Sequence, residues 1–171
     1  MNQSIPIRTL HESLTEAERE AVEAACSHYE QRPAAAIDAL MIVQQQRGWV
    51  DDERLYALAE LLGMSATELE GVATFYNHIY RQPVGRHVIH LCNSISCWLQ
   101  DVGALEQHLC ERLSIRMGQT SQTGQITLLP NVCLGCCDKA PAMMLDGELI
   151  MDLDKDKLDS ILDKLQGEGN G

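Results

Sequence analysis

Five of the seven cysteines in this 171-residue chain fall in two short clusters, and that constrains the fold more than any other feature. The clusters are Cys92-Asn93-Ser94-Ile95-Ser96-Cys97 and Cys133-Leu134-Gly135-Cys136-Cys137. Each follows an aliphatic, β-branched run: Arg86-His87-Val88-Ile89-His90-Leu91 before the first, Gln125-Ile126-Thr127-Leu128-Leu129 before the second. Between them Leu105, Leu109 and Leu113 recur at helical spacing and predict a helix over about residues 100–113. Strand, helix, strand implies parallel pairing through a right-handed crossover. Such a unit brings the loops after both strands to one end of the sheet. Cysteine clusters far apart in sequence can therefore meet.

The residues that follow complete the pattern. Ala142–Leu145 and Glu148–Met151 flank Asp146-Gly147, a dipeptide that favours a type I′ hairpin turn. Leu158, Ile161, Leu162 and Leu165 predict a last helix over about residues 154–165. The order βαβ then ββα is that of a thioredoxin-like fold, and Pro141 stands where that fold often carries a cis proline.

The N-terminal half reads as four short helices. Thr15 and Glu18 form a capping box, and a helix is expected from there to about Glu30. Pro33 suits the first turn of the next helix, which places Ile37, Leu40, Met41 and Gln44 on one face before Gly48 ends it. A third helix starts at Asp51 or Asp52, turns Leu55, Leu58, Ala59 and Leu62 inward, and stops at Gly63. Ser65 and Glu68 form a second capping box for a fourth helix carrying Leu69, Val72, Tyr76 and Ile79. Short helices with short links describe a small bundle. Gln82-Pro83-Val84-Gly85 marks the boundary. The expectation is an α+β chain: a helical bundle domain over 1–82 with a fraying N-terminus, a thioredoxin-like domain over 83–165, and a flexible tail over 166–171.

The net charge of -12 disfavours nucleic acid and anionic lipid as partners. Residues 57–72 resemble a helix-turn-helix, but the would-be recognition helix carries Glu68 and Glu70 and no Lys or Arg to meet phosphate. The chain shows no leader, and nowhere the ~18-residue apolar run of a membrane span. It is expected in the reducing cytosol, where clustered cysteines point to metal or redox chemistry before disulfides. No G-x-G-x-x-G, Walker loop or nucleophile elbow is present, so neither nucleotide nor flavin is expected on this chain and no catalytic residue is assigned.

Four thiolates at one sheet end can hold zinc or an iron–sulfur cluster. Structural zinc sites draw on tight C-x2-C pairs. Spacings of C-x4-C and C-x3-C suit two irons, each gripped by a pair of sulfurs. Two ferric ions, two sulfides and four thiolates sum to roughly -2, and to roughly -3 with one more electron. Backbone N–H groups around Gly135 can help hold that charge, and Lys139 reads as a solvated lysine more often than as an assistant. Spacing alone leaves Cys136 and Cys137 equal as the fourth ligand. A thioredoxin-type dithiol is disfavoured: C-x4-C is too wide, and Cys133–Cys136 lies on the wrong loop. Cys26 and Cys110 fall on helices and read as small buried hydrophobes. His78, His87 and His90 read as surface or core residues. Trp49, Phe75 and Tyr76 read as core or interface. Phe75-Tyr76 is large for so small a bundle and marks the helical half as a docking surface.

Gly48-Trp49-Val50, Leu62-Gly63, Gly71-Val72-Ala73-Thr74-Phe75-Tyr76, Pro83-Val84-Gly85, Cys92-x4-Cys97 and Cys133-Leu134-Gly135-x-Cys137 followed by Asp138-Lys139-Ala140-Pro141 occur in this order. On these motifs, from about Leu14 to Leu165, the chain resembles the thioredoxin-like 2Fe-2S subunits of NADH:quinone oxidoreductase, the E-subunit family of bacterial respiratory complex I. The resemblance implies one 2Fe-2S cluster held by Cys92, Cys97, Cys133 and Cys137, with Cys136 at the family's variable position. It implies an electron carrier that accepts one electron from the reduced flavin of an NADH/FMN-binding flavoprotein subunit. Further partners are the Fe–S subunits of the peripheral arm, on the cytoplasmic side of the inner membrane. The alternatives are the equivalent diaphorase subunit of an NAD-linked hydrogenase or formate dehydrogenase, and a structural zinc-binding assembly module.

Overall fold

The computed structural model describes residues 13–167. The N-terminal stretch expected to fray lies largely outside them, as do the last four residues of the expected tail. The chain divides into two compact units, one ending at Pro83 and one beginning at Val84.

The first unit is helical. Helix α1 (Glu16–Cys26) opens on the anticipated capping box: Glu18 N donates to Thr15 Oγ1 at 3.2 Å, and Thr15 N to Glu18 Oε2 at 2.7 Å. It ends four residues before the predicted stop, because Ser27 caps it and turns its hydroxyl back onto the Ala24 carbonyl at 2.6 Å. Pro33 sits in a single 3-10 turn that leads into α2 (Ala36–Arg47), closed by Gly48 at φ 83°. The buried face of α2 is Ala36, Ala39, Leu40, Val43 and Gln44. Ile37 faces outward, against expectation. Apolar residues surround this helix on several sides, so periodicity admits more than one inward face. Helix α3 (Asp52–Leu62) buries Leu55, Leu58, Ala59 and Leu62 as read, and Gly63 at φ 69° ends it. Helix α4 (Ala66–Phe75) is capped by Ser65 and Glu68 and stops before Tyr76. Ile79 is buried beyond its end rather than on it.

Two polar groups fix how the bundle closes. The Gln44 side chain donates to His78 O at 2.7 Å and accepts from Tyr80 N at 2.6 Å, so the segment after α4 is held as a neighbouring strand would hold it. Glu18, fully buried, receives Arg47 at 2.5 and 2.9 Å. The guanidinium outweighs the cost of burial and, with Thr15, holds the carboxyl down at about 2.

The second unit has the expected order. Strand β1 (His87–Cys92) leads through a short helix α5 (Ile95–Leu99) to α6 (Val102–Leu113), then β2 (Ile126–Asn131), β3 (Met143–Leu145), β4 (Glu148–Ile150) and α7 (Lys155–Gly167). The sheet runs β2-β1-β3-β4, with β1 and β2 parallel and the other pairs antiparallel. This is the thioredoxin-like α+β arrangement. Pro130 is tolerated in β2 because that strand is an edge. Asp146 and Gly147 both adopt positive φ in the β3–β4 turn, as a type I′ turn requires. The core joins Ile89, Leu91, Leu109, Ile126, Leu128, Met143, Leu158 and Leu162, all buried. Helix α7 runs two residues past the predicted end, into the stretch read as tail.

The Glu18–Arg47 pair sets a pH window for the helical unit. A carboxyl lowered from 4.5 to about 2 adds stability that is complete above its unfolded value and is lost as pH falls between the two. Glu18→Gln should lower stability by about 3 kcal/mol at neutral pH. The gap from the parent should shrink steadily below pH 4.5. Urea denaturation followed by circular dichroism at several pH values measures both.

Candidate metal centre

The register of β1 on β2 pairs Cys92 with Asn131, so the two cysteine loops leave the sheet side by side. Cys92 N donates to Ala142 O at 3.1 Å and Asn93 N to Asn131 O at 2.9 Å, which ties the first loop to both flanking segments. The chain then turns through extended Ser94 into α5, an element that cysteine spacing and leucine periodicity did not reveal. One and a half turns of helix carry Cys97 inward while Ile95, Trp98 and Leu99 point out. Asp101, in the left-handed region at φ 56°, redirects the chain into α6. Cys92 and Cys97 are both buried. Burial, followed by the neighbouring Cys92 thiol, pushes the Cys97 thiol up to about 11.

The second loop is built differently. Gly135, at φ 88°, reverses the chain and donates its N–H to Cys133 Sγ at 3.4 Å. Cys137–Lys139 forms a single 3-10 turn, closed by Lys139 N on Cys136 O at 3.0 Å. Ala140–Pro141 is cis and leads into β3. Cys133 and Cys137 are exposed, with their sulfurs 3.2 Å apart. The Gly135 N–H, then the bond from Cys137, holds Cys133 below the usual thiol range. Cys137 is held above it by Cys133, against a hydrogen bond to the Ser96 side chain.

The thiols are gathered as two pairs, one buried and one exposed. Among the described residues no three His, Cys, Asp or Glu side chains close on a single point as one metal ion requires. The Ser96 side chain and Cys92, both of the first loop, each act on the Cys137 thiol. This donor set fits a group that takes sulfur in pairs. Cys26 is buried in the core of the helical unit, and Cys110, on α6, packs partly buried against the core of the second unit. His87 bonds Asp146 at 2.7 Å, and the His78 carbonyl accepts from the Gln44 side chain.

The rim is apolar and uncharged. Ile95, Trp98, Leu99 and Val132 are each 64–69% exposed. Residues 92–100 and 130–137 contain no Asp, Glu, Lys or Arg in a chain that carries 25 acidic and 13 basic residues. On the helical unit Phe75 is 77% exposed and packs edge-on against Tyr76 at 5.3 Å, so it is a surface residue and not part of the core.

A model of the family described as thioredoxin-like [2Fe-2S] ferredoxin matches residues 22–166. The E subunit of the NADH-quinone oxidoreductase of Escherichia coli strain K12 is 48% identical over 151 residues, covering 88% of this chain and 91% of that protein. The E subunit from Pseudomonas aeruginosa is 46% identical over 163 residues, covering 95% and 98%. Among solved structures, an NAD+-reducing [NiFe]-hydrogenase in the air-oxidized state matches with a TM-score of 0.67 and 28% identity over 78% of this chain. The chain spans only 23% of that hydrogenase chain.

The two pairs should differ in reactivity. In the metal-free chain, brief alkylation with iodoacetamide should modify Cys133 and Cys137 well before Cys92 and Cys97, because only the first two are exposed. Peptide mass spectrometry over a time course reads the order; equal rates at all four would contradict this geometry.

Proposed function

Because this chain belongs to the thioredoxin-like [2Fe-2S] ferredoxin family, we propose that Cys92, Cys97, Cys133 and Cys137 hold its cluster and that it serves as the electron-carrying E subunit of an NADH:quinone oxidoreductase. The observation that carries this reading is the level exit of the two cysteine loops from paired strands, which presents two thiol pairs at one sheet end. When bound, a 2Fe-2S cluster takes up and releases one electron.

The residues of the chain divide the remaining work. Cys92 and Cys97 anchor the inner side on β1 and α5. Cys133 and Cys137 form the outer side, where the Gly135 N–H and the Ser96 side chain meet negative charge on sulfur. The apolar rim excludes water from the outer pair once a partner covers it. Hydride transfer belongs to a flavoprotein partner that carries NADH and FMN, since no nucleotide-binding motif was found in this chain. The Fe–S subunits of the peripheral arm complete the assembly, on the cytoplasmic side of the inner membrane. Among the described residues no helix is long and apolar enough to cross a membrane. A second reading, the matching diaphorase subunit of an NAD-linked hydrogenase, is favoured by the structural likeness to such an enzyme. The oxidoreductase relatives support the first more strongly, at 46–48% identity over most of both chains.

The chain purified without oxygen should be red-brown, bleach with dithionite and give the EPR signal of one reduced 2Fe-2S centre. Cys92→Ala and Cys97→Ala should each lose the chromophore, while Cys26→Ala and Cys110→Ala keep it. A colourless, zinc-loaded parent chain would sink the reading in favour of an assembly module.

Two apolar surfaces are proposed to meet the partner: Ile95, Trp98, Leu99 and Val132 on the second unit, and Phe75 with Tyr76 on the first. Buried aromatic anchors carry much of the energy of such interfaces. Trp98→Glu combined with Leu99→Glu should leave the absorption spectrum unchanged and weaken binding to the flavoprotein partner at least ~10-fold. Surface plasmon resonance on the loaded chain gives the comparison.

A further inference from the structure

The chain between the two units is short, and each unit holds its own end of it. We propose that Gln82-Pro83-Val84 is a hinge about which the two units adjust to a partner that touches both. The hinge is a property of this chain alone. Its use in docking rests on the reading that both apolar surfaces meet the flavoprotein.

On the first unit the last anchored residue is Arg81. Its largely buried side chain spreads over three partners: Nε donates to Glu70 at 2.8 Å, Nη2 to Asp52 at 2.6 Å and Nη1 to the Val50 carbonyl. The residue before it is held by its backbone. Tyr80 N donates to the Gln44 side chain at 2.6 Å, and Tyr80 O accepts from Val50 N at 2.8 Å. These contacts tie the end of the unit to α2, α4 and the start of α3.

On the second unit the first anchored residue is Gly85. Its N–H donates to Thr127 Oγ1 at 2.6 Å. Arg86 N then donates to Gly124 O at 3.1 Å and His87 N to Gln125 O at 2.8 Å. A Cβ at Gly85 would lie 2.9 Å from Gln125 C and Ile126 N. The glycine backbone therefore rests directly on the start of β2, and a side chain there would push it off.

Between these anchors the chain is free. Among the described residues, none exchanges a backbone hydrogen bond with Gln82, Pro83 or Val84. Segments without such bonds open at the least free energy. Pro83 fixes its own φ and keeps Gln82 extended. Rotation is left to ψ of Pro83 and to Val84, so the link swings without collapsing. The apolar surfaces stand on opposite sides of it in sequence: Phe75 and Tyr76 before, Ile95, Trp98, Leu99 and Val132 after. Free torsions between them let each surface seat without straining the other.

The test uses the full-length loaded chain, oxidised and labelled with 15N. Backbone order parameters should fall below ~0.6 at Gln82 and Val84 and stand near ~0.85 at Tyr80 and Arg86. Residual dipolar couplings from α1–α4 and from α6 and α7 should require two alignment tensors. Arg81→Gln should extend mobility to residue 81 but not to Tyr80, which Gln44 and Val50 still hold. If that chain fails to fold, Thr127→Val replaces it and should extend mobility to Gly85 but not to Arg86. Rigid values from residue 80 to 86, with one tensor for both units, overturn the hinge. Its use in docking is read by surface plasmon resonance on the flavoprotein, where Phe75→Glu and Trp98→Glu should each weaken binding at least ~10-fold. Parent affinity in either variant overturns the docking use and leaves the hinge standing. A parent chain that does not bind the flavoprotein at all defeats the proposed function itself.

Discussion

The parallel pairing of β1 with β2 is the constraint on which the site depends. Its register sets Cys92 opposite Asn131, and every later feature follows from that alignment. A one-residue slip would turn all inward side chains of β2 outward, because side chains alternate along a strand. Ile126 and Leu128 are buried and fix the phase of that alternation. The hydrophobic core therefore does more than stabilise the unit: it sets the level at which the two cysteine loops leave the sheet.

The parts of this fold that were legible in the sequence are those governed by local rules. Both capping boxes form as written, Gly48 and Gly63 close their helices in the left-handed region, and the Asp146-Gly147 turn joins β3 to β4. The convergence of the cysteine loops followed from topology alone. What escaped reading has a common cause. The inward face of α2 is decided by which neighbours it meets, not by its own period. Helix α5 is too short for periodicity to reveal. Its existence explains the C-x4-C spacing: Cys92 must end a strand and Cys97 must turn inward on the first turns of a helix. The burial of one thiol pair and the exposure of the other are likewise tertiary facts, absent from any spacing rule.

The distribution of charge around the site also differs from that of the whole molecule. A chain of net charge -12 has kept residues 92–100 and 130–137 free of ionisable side chains other than the thiols, with Asp138 and Lys139 following directly. A site whose formal charge is roughly -2 or -3 gains from this, since nearby carboxylates would oppose each added electron. Lysine or arginine in the loops would oppose them less, but would lay desolvated charge into an interface. Neutral side chains with aromatic and aliphatic tips avoid both costs. The exposed rim of Ile95, Trp98, Leu99 and Val132 therefore suits a permanent subunit contact better than a passing encounter, for which charged rims speed association.

The asymmetry between the thiol pairs gives the site a direction. Negative charge at the Cys92–Cys97 pair is opposed chiefly by burial, and it is this that drives the Cys97 thiol upward. At the outer pair the same charge meets the Gly135 N–H, the Ser96 side chain and solvent, and Cys133 is held down. The inner pair is thus enclosed, while the outer pair, with Cys133 held down and Cys137 up, lies exposed where a partner is proposed to dock. Two loops of similar length differ in this way because one ends in a helix that buries its cysteine and the other turns on a glycine at positive φ.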